Sequence, residues 1–301
     1  MSNVGIKHGC RCAPGQGIIG SSLRIALPSL LCVLATCSLA RGEDPLRATN
    51  SRAARKDAVA HLPLNRLSPD DQARVQAVLD KTTIFRRMPT QVICCEPALY
   101  DFVADHPQIL ADIWQLLGID DVTLTPESDG VFRASDVQGT QGRVEFLYRD
   151  QHTRLVYAEG TYDGPLFAKP VTGSCVMLLT SDYVREPDGK YYVTTRLDAF
   201  VRLDNAGAEF LAKTFQMLVA RVADMSFVQT SSFIEQLSRA AEYNPRGMYR
   251  LADKLPHVDD RVKAEFIQLT AGVAQRAAER DRHRLEVARG SEGRELQVQG
   301  R

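Results

Sequence analysis

The sequence predicts an α+β fold: an antiparallel sheet of about seven strands followed by a long C-terminal helix, with accessory N- and C-terminal helices. Three observations predict it. Short β-rich runs recur between residues 90 and 203, bounded by turn residues. Two proline-opened helical segments separate the first of these runs from the rest. A broad apolar stripe at helical spacing then begins after Asp204-Asn205 and holds until Asn244-Pro245.

The chain opens with an address. Residues 1–40 carry Lys7, Arg11 and Arg24 and no acid, and IALPSLLCVLATCSLA (25–40) is uncharged. A basic leader, a short apolar stretch and a small-residue ending make a secretory signal, and Ser38-Leu39-Ala40 places cleavage after Ala40. An uncleaved anchor and a lipoprotein site at Cys37 are the competing readings. The apolar stretch is shorter than the ~20 residues that span a bilayer, so no transmembrane span is expected in the mature chain. A secreted or periplasmic protein follows. The lack of any Asn-x-Ser/Thr sequon favours a bacterial envelope over a eukaryotic secretory route.

Removing this leader resolves the charge balance. The 301 residues hold 37 basic and 37 acidic side chains, a formal net of +0. Without the three leader cations, 34 bases face 37 acids, a net of −3. That balance argues against a nucleic-acid partner bound by phosphate neutralisation. Of seven cysteines only Cys94, Cys95 and Cys175 remain, too few for a disulfide framework, so a packed core must carry stability. The hydrophobic share of 44% supplies one.

Residues 41–65 read as a polar tether without apolar period. An accessory helix is expected within 66–87: Ser68 caps it, Pro69 takes the first position, and Asp70 and Asp71 complement its dipole. Val75, Val78 and Leu79 give it a narrow stripe that packs on something larger. TQVICC (90–95) is the first strand. Pro97 opens a helix through Leu99, Tyr100, Phe102 and Val103, and Pro107 opens another that Gly118 stops.

Strands follow at 122–125, 131–135, 143–148, 153–162, 171–180 and 190–203. Ser128-Asp129-Gly130 and Pro187-Asp188-Gly189 read as hairpin turns. In the last strand Tyr191, Val193, Leu197, Ala199, Val201 and Leu203 share one face. The other face, with Arg196, Asp198 and Arg202, is expected to be wetted. The long helix carries Phe210, Leu211, Phe215, Leu218, Val219, Val222 and Met225, with a Ser/Thr-rich interval at 226–232 where it could kink. Residues 246–301 read as an accessory helix from about Asp259 and a charged, solvated tail. A polar segment that docks on an envelope protein is the other reading of that tail.

The order from Thr90, strand, helix, helix, six strands, long helix, resembles the helix-grip fold of the START-related superfamily of lipid-transfer proteins and polyketide cyclases. TQVICCEPALYDFVADHP (90–107), the strand 190–203 and the helix from about 206 carry the likeness, which spans the domain 88–245. The resemblance implies a curved sheet gripping the long helix around an apolar cavity for a hydrophobic small molecule or lipid. Phe132, Phe146, Tyr148, Tyr157, Glu159, Arg196, Phe210 and Leu218 are the expected ligand-binding residues. A solid core built from the same side chains is the alternative.

Glu159 is the candidate acid or base of a cyclase or hydratase type of enzyme, if it turns inward; a solvated Glu159, or one paired with Arg196, is the bland reading. Cys94 and Cys95 point to opposite faces of their strand, as free thiols or with one bridged to Cys175. The histidines are scattered without ligand spacing, so neither metal nor cofactor is expected. No nucleophile elbow, P-loop or dinucleotide fingerprint occurs in the mature chain, and no catalytic residue is assigned.

Overall fold

The computed structural model describes residues 46–165, 169–204 and 213–299, and their side chains except over 213–219 and 287–299. The leader expected over 1–40 lies outside the described residues. Within them, α1 (Arg52–Ala60) comes first, capped by Ser51, whose Oγ accepts the Ala54 N–H at 3.1 Å. Part of the expected tether is therefore helical. Its buried stripe is only Ala54 and Ala58, too weakly apolar to register as a period. Helix α2 (Pro69–Asp80) starts as the sequence indicates, with Ser68 Oγ accepting the Asp71 N–H and Val75, Val78 and Leu79 buried.

After α2 the chain turns into a strand that sequence patterning missed, β1 (Ile84–Arg87). Next come β2 (Gln91–Cys94), α3 (Pro97–Asp105) and α4 (Pro107–Leu117), the last closed by Gly118 at φ 65°. A six-strand meander follows: β3 (Thr123–Ser128), β4 (Val131–Ser135), β5 (Thr140–Arg149), β6 (Thr153–Tyr162), β7 (Val171–Arg185) and β8 (Tyr191–Leu203). All pairings are antiparallel in the order β1-β8-β7-β6-β5-β4-β3, and β2 also pairs with β8. The eight-stranded sheet and the long helix make the fold the expected α+β class.

Helix α5 (Lys213–Tyr243) runs through 226–232 without interruption. Asn244 then caps α6 (Pro245–Asp253), and α7 runs over Asp260–Gln299. Among the described residues no helix is long and apolar enough to cross a membrane.

Register divides the side chains between two faces. Phe85, Leu155, Tyr157, Val176, Leu178 and Phe200 form one core cluster with α1 and α2. The face expected to be wetted is therefore buried, and Asp198 on it is fully inaccessible. Its charge is met by Arg87, which donates from Nε and Nη2 to the two carboxylate oxygens at 2.7 and 3.0 Å. Arg87 also reaches Asp57 of α1 at 2.7 Å, and Arg196 lies 3.8 and 3.5 Å from Asp57 and Asp198. Charged residues on a strand signal solvent only when no partner comes down on them; here α1 brings one.

The other face carries α3 and α5. Ile93 and Val193 join α3, α4, α5, α6 and α7 in the second cluster. Tyr100 of α3 donates to Thr195 Oγ1 at 2.8 Å and lies 2.9 Å from Ser181 Oγ. Arg154 of β6, 2% exposed, is held by Asp105 and Asp101 of α3 at 2.7 and 3.0 Å. Arg86 of β1 forms a bidentate pair with Asp224 of α5. This filled half occupies one end of the face.

Candidate functional site

The opposite end of the α5 face is hollow. Register aligns Ala134, Gly142, Gly160, Gly173 and Leu203 across β4 to β8, one row of side-chain positions over five strands. The next row is Val144, Ala158, Cys175, Val201 and Ile84. All ten line a cavity of about 340 Å³, with Tyr162 and Val171 at its end. The volume falls at the lower end of small-molecule sites, roughly 300–1,000 Å³.

The row is made of glycine for a steric reason. A Cβ on Gly160 would stand 2.4 Å from the Gln141 carbonyl oxygen, and one on Gly173 2.6 Å from that of Arg202. Neighbouring backbones close in there, so only glycine fits, and the absence of side chains leaves a hollow floored by backbone. The walls are small or aliphatic, which favours an apolar occupant.

One wall group is nucleophilic in principle. Its apolar surroundings push the half-buried Cys175 thiol up to about 12, so it keeps its proton at neutral pH. Cys95 is likewise raised by burial to about 12. Cys94, Cys95 and Cys175 are all free.

The expected ligand-binding residues are divided by the sheet. Phe132 and Phe146 are on the α5 face, ring centroids 6.2 Å apart, yet neither lines this cavity. Tyr157 lies on the face under α2, with the Arg74 guanidinium 4.7 Å over its ring. Glu159 shares that face and is exposed, its nearest polar partner the Tyr157 hydroxyl at 3.4 Å. Glu159 contributes backbone, not a buried acid, to the cavity floor: its carbonyl faces Gly142. A register shift between Phe146 and Tyr148 turns Tyr148 to the α2 face, where it donates to Asp150 at 2.7 Å. Arg196 is engaged with Asp57 and Asp198. Phe210 lies outside the described residues. Leu218 lies on α5, and its side chain is outside the described set.

The residues that line the hollow went unread because they are small. Their signal was present as Ala-x-Gly at 158–160, Gly-x-Cys at 173–175 and Gly-x-Val at 142–144. Alternate small residues on adjacent strands mark a surface that cannot fill its own space.

No protein-family model and no curated protein matches the chain. Solved structures with which it aligns include a conserved protein from Geobacillus kaustophilus, at 13% identity and TM-score 0.32 over 49% of this chain and 90% of that one. An uncharacterized protein from Rhizobium leguminosarum aligns at 16% identity and TM-score 0.29, covering 51% of this chain and 96% of that one. The di-domain ARO/CYC BexL from the BE-7585A biosynthetic pathway aligns at 16% and TM-score 0.30, over 62% of this chain and 58% of that one.

Proposed function

We propose that the chain is an exported, non-catalytic domain of the START-related helix-grip type that binds a hydrophobic small molecule or lipid on the α5 face of its sheet. The carrying observation is the 340 Å³ hollow floored by the glycine row and walled by Ile84, Val144, Ala158, Val171, Val201 and Leu203. A ligand there exchanges water for aliphatic wall at roughly 25 cal/mol per Å² of apolar surface buried. The buried core that α3 to α7 build with Ile93 and Val193 lies at the other end of the face.

The test uses the purified full chain. Denaturing extraction followed by mass spectrometry should release an apolar passenger, and the stripped protein should bind N-phenylnaphthylamine saturably. Ala158→Trp, which fills the hollow from its wall, should weaken that binding at least about tenfold, or about 1.4 kcal/mol. An empty chain that shows no saturable uptake of the probe would overturn the reading.

A further inference from the structure

Helix α1 is assembled against two local electrostatic preferences. Its first turn holds no acid, and Arg52 stands at its first position, where the positive end of the helix dipole repels a cation. Lys56 follows four residues on, on the same side, a like-charge pair that also opposes the helix. Helix α2 has the favourable arrangement, with Asp70 and Asp71 in its first turn. Both penalties on α1 are relieved when an anion from outside the chain lies over Arg52 and Lys56.

The rest of α1 is already engaged. Ala54 and Ala58 are buried in the core shared with α2. Asp57, the only acid between residues 46 and 66, is tied to Arg87 at 2.7 Å with Arg196 3.8 Å away, so its charge is matched within the fold. Arg55 donates to the Leu79 carbonyl at 2.9 Å. What remains outward is one stripe at i, i+4 and i+7: Arg52, Lys56 and Val59, all exposed. Among the described residues neither Arg52 nor Lys56 has an ion-pair partner. The exposed acids of α2, Asp70 and Asp80, sit at its two ends, and Lys81 follows Asp80 directly.

The surrounding chain says which kind of anion fits. Residues 46–66 carry five of the chain's 37 bases and one of its 37 acids, so a basic layer sits on an otherwise net acidic chain. Leu46 and Val59 add exposed aliphatic groups, which a soluble polyanion does not use and a headgroup layer does. Five residues, 41–45, join Leu46 to the apolar run 25–40, a reach of at most about 20 Å of extended chain.

We propose that the outward stripe of α1 docks on an anionic lipid surface. Arg52 and Lys56 meet the headgroup phosphates, and Val59 enters the boundary beneath them. The docking rests on the exported reading, in which the run 25–40 meets a membrane, and not on the hollow, which opens on the opposite face of the sheet.

Co-sedimentation of the purified full chain with vesicles tests it. Mixed phosphatidylglycerol and phosphatidylcholine vesicles should bind the chain at about 0.1 M salt and release most of it at about 0.5 M. Arg52→Gln combined with Lys56→Gln should weaken binding at least about tenfold, given about fivefold for each cation near an anionic surface. Arg261→Gln combined with Arg282→Gln removes as much exposed charge from α7 and should leave binding unchanged. Any insertion of residues 25–40 is common to all these chains and does not mimic the difference. Equal binding to phosphatidylcholine alone, full binding by the α1 variant, or an equal loss in the α7 variant would each overturn the proposal. Heparin binding that needs Arg52 and Lys56, without vesicle binding, would overturn it in favour of a soluble polyanion.

Discussion

The two faces of the sheet are built from the same strands, yet they solve packing in opposite ways. Under α1 and α2 the face is solid: Leu155, Val176, Leu178 and Phe200 are wholly buried, and a charge network of Arg87, Asp57 and Arg196 converges on the inaccessible Asp198 between helix and sheet. On the α5 face, one end is equally solid, and the other is floored by glycines and left hollow. Bulk on one face and its omission on the other alternate residue by residue along β6 and β7. The solid layer under α1 and α2 and the hollow proposed to bind thus lie on different sides of a single sheet, which makes them separable by mutation.

The largest effect is expected where a charge is sealed. Asp198→Ala leaves Arg87 with Asp57 alone, and removing one partner of a buried pair costs about 3–5 kcal/mol. Urea denaturation should show it as a loss of midpoint with the probe-binding site intact in the remaining folded protein. A loss below about 1 kcal/mol would mean that Asp57 and solvent satisfy Arg87 without Asp198 and that the α1 layer is not a true core.

Next comes the glycine floor. Gly160→Val places a branched side chain against the Gln141 carbonyl, where even a Cβ stands 2.4 Å away. Overpacking of this kind costs about 1–3 kcal/mol or more, and here it should abolish uptake of the apolar probe as well. Stability that is unchanged with binding retained would show that the strands do not close in at that row.

These two sites also mark what could be read in the sequence. Capping at Ser68-Pro69, the turn at Pro187-Asp188-Gly189 and the stop at Asn244-Pro245 were legible because each acts through local backbone chemistry. Helix α1 was hidden because its buried stripe is alanine, and β1 because IFRR is four residues long and half cationic. Alternation along β8 was legible, but which side is wet was not: that depends on α1 delivering Asp57 from more than a hundred residues away. The register shift after Phe146 and the coincidence of Gly142, Gly160 and Gly173 are properties of strand pairing, invisible until the pairs are known.

A pH scan should break the faces at opposite ends. Burial raises the Asp57 carboxyl, but hydrogen bonding and charge from Arg87 more than reverse it, so its pKa in the fold is below the ordinary value. A carboxylate lowered by folding stabilises above its unfolded pKa of about 4, and that contribution is lost as pH falls through the folded value. Acid should therefore loosen the α1 layer first. Thiols on the α5 side behave conversely. Cys95, raised by burial to about 12, holds its proton in the fold after the unfolded chain has released it near pH 9. Stability falls as pH rises between those values, by about 1–2 kcal/mol at pH 10. Hydrogen exchange at pH 3 and pH 10 would resolve the two; loosening of the same elements at both ends would contradict the division.

The smallest expected effect is the sharpest measure of it, because it concerns neighbours in one strand. Val176 is wholly buried against Phe200 and Tyr157, whereas Cys175, one residue earlier, faces the hollow. Val176→Ala removes two methyl groups from close-packed surroundings, and by analogy with other large-to-small changes should cost about 2 kcal/mol. Cys175→Ala removes a sulfur that already borders empty space on one side, so fewer contacts are lost and no enclosed cavity is newly made. Its cost should stay below about 1 kcal/mol. Measured in the same denaturant series, the difference between the two reads the packing of each face directly. Equal costs would mean that Cys175 is packed as tightly as Val176, and the cavity with its proposed ligand would go with that result.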